Sequence, residues 1–246
     1  MEYREFVPSQ SLRAHVASYW RFALPETATP IVIDHVVPPD GTVNIVWLPG
    51  ERAVLLGPRV SALHVPVRSG EEYLGVRFLP GVAGAMLNVD VRTLRDTVTP
   101  LARPEFDAVA RARGIAGFDD ELMGWLREAS APDPVVVDLV TRITRARGSI
   151  GVHAITEAAG VGYRQALRRF QAATGLTFKE YARIRRIRAA CVDALQSRDP
   201  SWADLSLEAG FADQAHLTRE FRDVFGWPTR LVHEYLRRIE HRHVSE

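Results

Sequence analysis

Two arginines in the C-terminal half stand two residues ahead of a phenylalanine, Arg168 before Phe170 and Arg219 before Phe221. A guanidinium is planar, permanently charged and carries its N–H donors in a fork, so it can pair with both major-groove acceptors of guanine. Further groups able to touch a base edge lie beside each: Arg164 and Leu167 near Arg168, and Gln214 and His216 ahead of Arg219. Glutamine can read adenine, and an apolar side chain can meet a thymine methyl. Leu167 suits that contact and suits packing equally well. Arg164, Leu167, Arg168, Gln214, His216 and Arg219 are therefore the candidate base readers.

Such chemistry needs exposed helix faces held at a fixed separation, and the sequence supplies two. "AITEAAGVGYRQALRRFQAATGLT" from Ala154 resembles "DLSLEAGFADQAHLTREFRDVFGWPT" from Asp204. In each, a short helix ends at a glycine, Gly160 or Gly210, and a second helix carries the Arg-x-Phe and runs to Gly175 or Gly226. From turn glycine to helix phenylalanine is ten residues in the first copy and eleven in the second. These are helix-turn-helix units at about 152–173 and 202–225. With Phe170 buried, Ala166 and Tyr163 share its face while Arg164, Leu167 and Arg168 point away. Around Phe221, Leu217 and Gln214 or its neighbour turn inward, and Ala215, His216 and Arg219 project outward. The segment 177–197 joins the units as one helix with Ile184, Ile187, Cys191 and Leu195 on a stripe. Its length of about 31 Å approaches the ~34 Å turn of B-DNA. Arg183, Arg185 and Arg186 on it are the phosphate candidates, with Arg188 nearby.

The charge distribution agrees. Residues 1–140 hold 13 Lys/Arg against 18 Asp/Glu, and residues 141–246 hold 18 against 12, so a net charge of +1 conceals an acidic part joined to a basic one. Ahead of the basic part, "HVASYWRFAL", "IVIDHVVP", "TVNIVWLP", "AVLLG", "LHVPV" and "EYLGVRFLP" are short Val-, Ile- and aromatic-rich runs between Pro- and Gly-containing turns. They predict a sandwich or small barrel over the first eighty residues, followed by helices to about residue 130. "VPPDGTV" is a turn in which Gly41 is free to take positive φ. The break at Pro132–Pro134 puts the domain boundary at 131–140.

Other chemistries find no footing. Neither a Gly-x-Ser-x-Gly elbow nor a Gly-rich phosphate loop occurs. Cys191 is the one cysteine of the chain, which excludes an internal disulfide and a cysteine-based zinc cluster. His35 and His64 have no second histidine at ligand spacing, so no metal and no cofactor is expected. His233, His241 and His243 are read as solvated on a frayed C-terminal helix and tail. Tyr19, Trp20, Trp47 and Arg77 could line a small-molecule pocket with Arg77 holding an anion, or be plain core. No apolar run reaches membrane-spanning length, and the N-terminus lacks the apolar core of a signal peptide, which predicts a cytoplasmic protein.

The C-terminal region resembles the DNA-binding domain of the AraC/XylS family of bacterial transcription regulators. "GFADQAHLTREFRDVFGWPT" carries the resemblance most closely, with "VGYRQALRRFQAATGLTFKEYARIRRIRAA" as its first unit; together they span about 100 residues. Leu167 departs from the pattern, since family members often have Gln or another polar residue there. More weakly, "SYWRF", "PPDGTVNIVW", "LLGPRV" and "YLGVRFLPGVAGAMLNV" resemble a domain of unassigned role found ahead of such domains in actinobacterial regulators. The resemblance implies an α+β protein of two domains. Residues 1–130 would form a cupin-like β-rich sensor or dimerisation domain, and 135–246 an all-α domain with two helix-turn-helix units. It implies double-stranded promoter DNA as partner, with a small-molecule effector, a second copy of the chain, and RNA polymerase for an activator. Two alternatives stay open for the N-terminal part: a protein-interaction module needing no ligand, or an enzyme domain located on DNA.

Overall fold

The computed structural model describes residues 1–50 and 52–244. Strands β1 (Glu2–Phe6), β2 (Val16–Ala23), β4 (Asn44–Trp47), β5 (Ala53–Leu56), β7 (Glu72–Phe78), β8 (Val98–Pro100) and β9 (Glu240–Val244) make a seven-stranded sheet in the order β8-β5-β4-β7-β2-β1-β9. Strands β3 (Val32–Val37) and β6 (Leu63–Arg68) pair antiparallel as a separate two-stranded sheet.

Alternation along the strands sorts the side chains onto two faces. Tyr19, Ile45, Leu55, Leu74 and Val76 point to one face and form a core with Phe106, Phe118, Leu122 and Trp125. That face is covered by α1 (Ala83–Leu87), α2 (Val91–Leu94), α3 (Pro104–Arg113) and α4 (Phe118–Glu128). On the other face, Phe22, Leu24, Val46, Val54 and Leu56 meet side chains of β3 and β6, among them Val67, Ile33, Val65 and Leu63. The expected sandwich is thus a broad sheet with a two-stranded sheet laid over part of it.

The C-terminal helices are α5 (Pro134–Arg145), α6 (Val152–Ala159), α7 (Tyr163–Thr174), α8 (Phe178–Leu195), α9 (Trp202–Glu208), α10 (Gln214–Phe225) and α11 (Thr229–Arg237). Asp133 caps α5 through Val135 N–H and Val136 N–H, with Pro134 in the first turn, where its missing donor costs nothing. Helix α8 opens on a capping box: the Thr177 hydroxyl accepts from Glu180 N–H at 3.2 Å, and the Glu180 carboxylate accepts from Thr177 N–H at 2.8 Å. These reciprocal bonds satisfy two donors that the first turn would otherwise leave open.

Helix α8 serves two cores. Its first half contributes Phe178, Tyr181 and Ile184 to a cluster with Val136, Leu139, Ile143, Ala166 and Phe170. Its second half contributes Ile187 and Ala190, with Cys191 and Leu195 at the margin, to a cluster with Leu217, Phe221, Phe225 and Val232. The apolar stripe read from the sequence is therefore shared between the helix-turn-helix units. Burial pushes the Cys191 thiol up to about 12, consistent with a packing role.

At its C-terminal end the chain departs from a frayed tail. Residues 240–244 return to the N-terminal part and pair parallel with β1, Glu2 opposite Glu240 and Phe6 opposite Val244. His233 is buried and not solvated: Nε2 faces the Ser197 carbonyl at 3.1 Å, and the ring sits edge-on to Trp202. The side chains of His241 and His243 lie outside the described residues.

Candidate nucleic-acid interface

Helices α7 and α10 each hold twelve residues, and one maps onto the other by a constant shift of 51 positions. Both end on a glycine in the left-handed conformation, Gly175 at φ 71° and Gly226 at φ 72°. The preceding turn is one residue longer in the second unit, which lets Asp213 cap α10 by accepting from His216 N–H at 2.6 Å. Gly162 begins α7 without a side-chain cap.

The inward positions match under the shift. Ala166 and Phe170 are fully buried, as are Leu217 and Phe221. Tyr163 does not join them: at the first position of α7 it is 41% exposed, its ring leaning on Phe178 at 6.0 Å. Gln214, at the corresponding place in α10, is exposed.

Arg164 and Arg168 are exposed on α7, and Leu167 between them is half-buried against the first unit's core. Packing thus claims much of the Leu167 side chain. The positions equivalent to these three are Ala215, Thr218 and Arg219. Together with Gln214 and Arg222 they line an open concavity of about 410 Å³. Arg164, Arg168, Arg219 and Arg222 form no ion pair among the described residues.

His216 departs from the outward expectation. Its Nδ1 accepts from Ala212 N–H at 3.3 Å, its ring stands edge-on to Phe211, and Nε2 lies 3.6 Å from Glu220. The imidazole secures the turn of its own unit instead of joining the concavity. Thr218 and Arg222 take places that the sequence reading missed. The signal was present: carrying Leu167 and Gln171 forward by 51 residues lands on them.

Two of the three arginines expected at phosphates are engaged elsewhere. Arg183 is ion-paired to Glu220 and, at 3.5 Å, to Asp223, tying α8 to α10. Arg186 reaches the Gly210 carbonyl at 3.4 Å and lies over the Phe211 ring at 5.4 Å. Arg185 has its Nε buried without a hydrogen-bond partner. Arg183 and Arg186 brace the inside of the domain because α8 is a shared spine with helices on several sides. Arg188 is held below the usual guanidinium range by burial first, with Arg77 and Arg185 adding repulsion and Asp40 opposing it.

The four pocket candidates divide between the faces of the large sheet. Tyr19 and Trp47 point to the helix-covered face, where the Tyr19 hydroxyl donates to Asp119 at 2.6 Å. Trp20 and Arg77 point to the other, Trp20 stacking near Tyr3 at 6.4 Å. Arg77 is already bound by Glu5 at 2.6 Å, Asp40 at 3.2 Å and the Tyr3 hydroxyl at 3.0 Å. Neighbours along β2 alternate sides, so Tyr19 and Trp20 cannot line one pocket. No cluster of three or more His, Cys, Asp or Glu that could hold a metal occurs among the described residues. No described helix is long and apolar enough to cross a membrane.

The family profile described as "Helix-turn-helix domain" matches residues 155–238, and one described as "Domain of unknown function (DUF6597)" matches residues 4–100. No curated protein matches the sequence. Among solved structures, an apo ToxT variant from Vibrio cholerae is similar at 9% identity and TM-score 0.48, covering 89% of this chain and 97% of that one. Unsaturated fatty acid-bound wild-type ToxT from the same organism gives 12% identity and TM-score 0.43, over 86% and 93%. The C-terminal domain of AraT, a response regulator from Geobacillus stearothermophilus, gives 17% identity and TM-score 0.39, over 48% of this chain and 93% of that one.

Proposed function

From a C-terminal part that is a helix-turn-helix domain of the AraC type, we propose that the chain is a sequence-specific transcription regulator inserting α7 and α10 into successive major-groove segments of one promoter. The observation that carries this reading is the pair of equivalent helices, each with two exposed arginines outside any ion pair among the described residues. Arg164 and Arg168 read the first box, with Leu167 at its edge. Arg219 reads the second, with Gln214, Thr218 and Arg222 around it and His216 fixing the turn. Phosphate contacts come from backbone N–H groups at helix starts, and affinity falls as salt rises.

The division at 1–130 and 135–246 makes the N-terminal part the regulatory half, sensing a small-molecule effector or bringing two copies together. As an activator the protein would also meet RNA polymerase, and all of this belongs in the cytoplasm. We assign it no reaction and no cofactor. The test is an in vitro selection of DNA from a random pool with the full-length protein. Two short boxes about one helical turn apart are expected. A pool that stays unenriched at both low and physiological salt would overturn the reading.

A further inference from the structure

A sheet edge presents unpaired N–H and C=O groups on which another chain can build, and folded proteins usually close such edges. Three edges here are closed. Strand β1 is covered by β9. Along the outside of β6, Ala62 N–H donates to the Val224 carbonyl at 2.7 Å and Pro66 has no N–H. Arg68 N–H donates to the Glu71 carboxylate at 2.8 Å, and its carbonyl accepts from Glu71 N–H at 3.1 Å. At β8, Thr97 and Leu101 bond to the β5 side, which turns Pro100, again without a donor, outward.

Strand β3 is different. The Ile31 carbonyl accepts from Ser69 N–H at 2.9 Å, so Ile31, Ile33 and His35 face β6, and Val32, Asp34 and Val36 turn their backbone groups the other way. Val36 N–H is taken by the Tyr235 hydroxyl at 3.0 Å. The outward backbone groups of Val32 and Asp34 meet no partner among the described residues. Ile31 and Val32 are 43% and 58% exposed, and the one acidic side chain of the strand, Asp34, is held by His64 at 2.6 Å. This open edge is extended and largely apolar, with neither a proline nor a lysine to guard it.

Its free groups match themselves. A second copy laid antiparallel, Ile33 opposite Ile33, sets Val32 against Asp34 of the second copy and Asp34 against that copy's Val32. Each pair can exchange both N–H···O=C bonds, which uses every free donor of the edge. One step further, Val36, whose N–H is taken, falls opposite Pro30, which has no N–H. The two Ile33 side chains meet on the inner face and continue the cluster of Phe22, Val67 and Tyr73. The neighbouring registers are worse. One brings Asp34 against Asp34, a like-charge pair, and the other brings Asp34 against Pro30 and leaves a carbonyl without a donor.

We propose that β3 is a self-association edge, joining two copies of the chain about Ile33 into one sheet in the order β6-β3-β3-β6. A two-fold pairing of this kind satisfies itself and closes at two copies. This deepens the second-copy option for the regulatory half and rests on it, and it is independent of base reading by α7 and α10. The ladder is short, so the dimer is a reversible one that forms at micromolar protein.

The test is the mass of the full-length protein without DNA, followed by sedimentation from about 1 to 200 μM. The parent is expected to pass from monomer to dimer. Val32→Pro deletes a donor that the monomer does not use, at the first residue of the strand, where proline is tolerated. It should weaken association about tenfold or more at an unchanged melting temperature. Ile33→Cys in a Cys191→Ala background should give a disulfide-linked dimer on mild oxidation, because directly opposed, non-bonded partners stand within bridging distance. Val32→Cys in the same background is more exposed but lies diagonally to its own copy, and should not. This cysteine pair carries the test if Val32→Pro melts early. A parent that stays monomeric throughout overturns the proposal and leaves the edge to an extended segment of another protein. Undiminished association of Val32→Pro, or equal cross-linking at the two cysteines, overturns it as well. Failure to select a two-box DNA site would strike the base-reading assignment and leave this one standing.

Discussion

The two helix-turn-helix units share a geometry and differ in almost everything that fastens them. Their inward residues coincide under one shift, Ala166 with Leu217 and Phe170 with Phe221, because a helix of fixed length packing on α8 presents the same positions to the core. Their anchors do not coincide. The first unit opens on an uncapped Gly162 and holds Asp133 of the α5 cap through Arg169, at 2.5 and 2.7 Å. The second caps itself with Asp213 and is tied to α8 through Glu220 and Arg183. Duplication preserved the part that must pack and released the parts that face solvent or the N-terminal domain.

The largest expected effect tests the shared part. Phe170→Ala and Phe221→Ala should each cost about 3–5 kcal/mol, read as a fall in melting temperature. A small loss at only one of them would show that the two cores are not equivalent.

Acid should separate the units, because a half-buried histidine, His35, meets only the second. Burial pushes His35 down to about 4 from an ordinary value of 6.5, with Asp34 opposing. Its ring stacks on Phe22 at 3.9 Å and meets the Tyr235 hydroxyl, an arrangement that suits the neutral form. The unfolded chain takes up the proton first, so this contribution is complete above pH 6.5 and is lost as pH falls toward 4. It amounts to as much as about 3 kcal/mol. His64 runs the other way: its hydrogen bond to Asp34 raises its affinity for the proton, supported by the Phe225 carbonyl. Its contribution is present below pH 6.5 and fades as pH rises. Melting curves from pH 7 to 4 should be flatter for His35→Gln than for the parent; parallel curves would remove His35 from the acid response.

At the proposed DNA faces, Arg168→Ala and Arg219→Ala should each weaken the selected site by roughly 1–3 kcal/mol and relax preference in one box only. Thr218→Ala and Arg222→Ala should act on the same box as Arg219, whereas His216→Ala should lower stability more than sequence preference. Loss of preference in both boxes from a single arginine would break the assignment of one box per helix. The smallest effects concern the caps. Asp213→Ala should cost about 1 kcal/mol, and Gly162→Ser should gain a few tenths, both read by thermal melting.

Local rules sufficed for much of the chain. Paired Arg-x-Phe segments, glycines closing each helix and the Thr177–Glu180 cap are properties of a few neighbouring residues, and the β-rich character of the first eighty follows from period-two runs between turns. Gly41 takes φ 75° in the expected turn, and a Cβ there would press within 2.9 Å of the Tyr181 ring, a contact no local rule contains. The same limit explains the misplaced side chains. Arg183 and Arg186 look like free surface on an isolated helix, yet α10 and the α9–α10 turn bring Glu220 and Phe211 up to them. Tyr19, Trp20, Trp47 and Arg77 have pocket-like chemistry, but the pleat sends them to opposite faces.

The sequence by itself determined the helices of the duplicated part, the duplication and the exposed arginines at its two faces, because helical period, caps and turns are short-range. Only the tertiary structure decided which charges are spent on internal pairs, that β9 joins β1, and that the β3–β6 sheet meets the second unit. Those outcomes depend on groups from 36 to more than 200 residues apart, where desolvation and pairing, not local propensity, choose the partner.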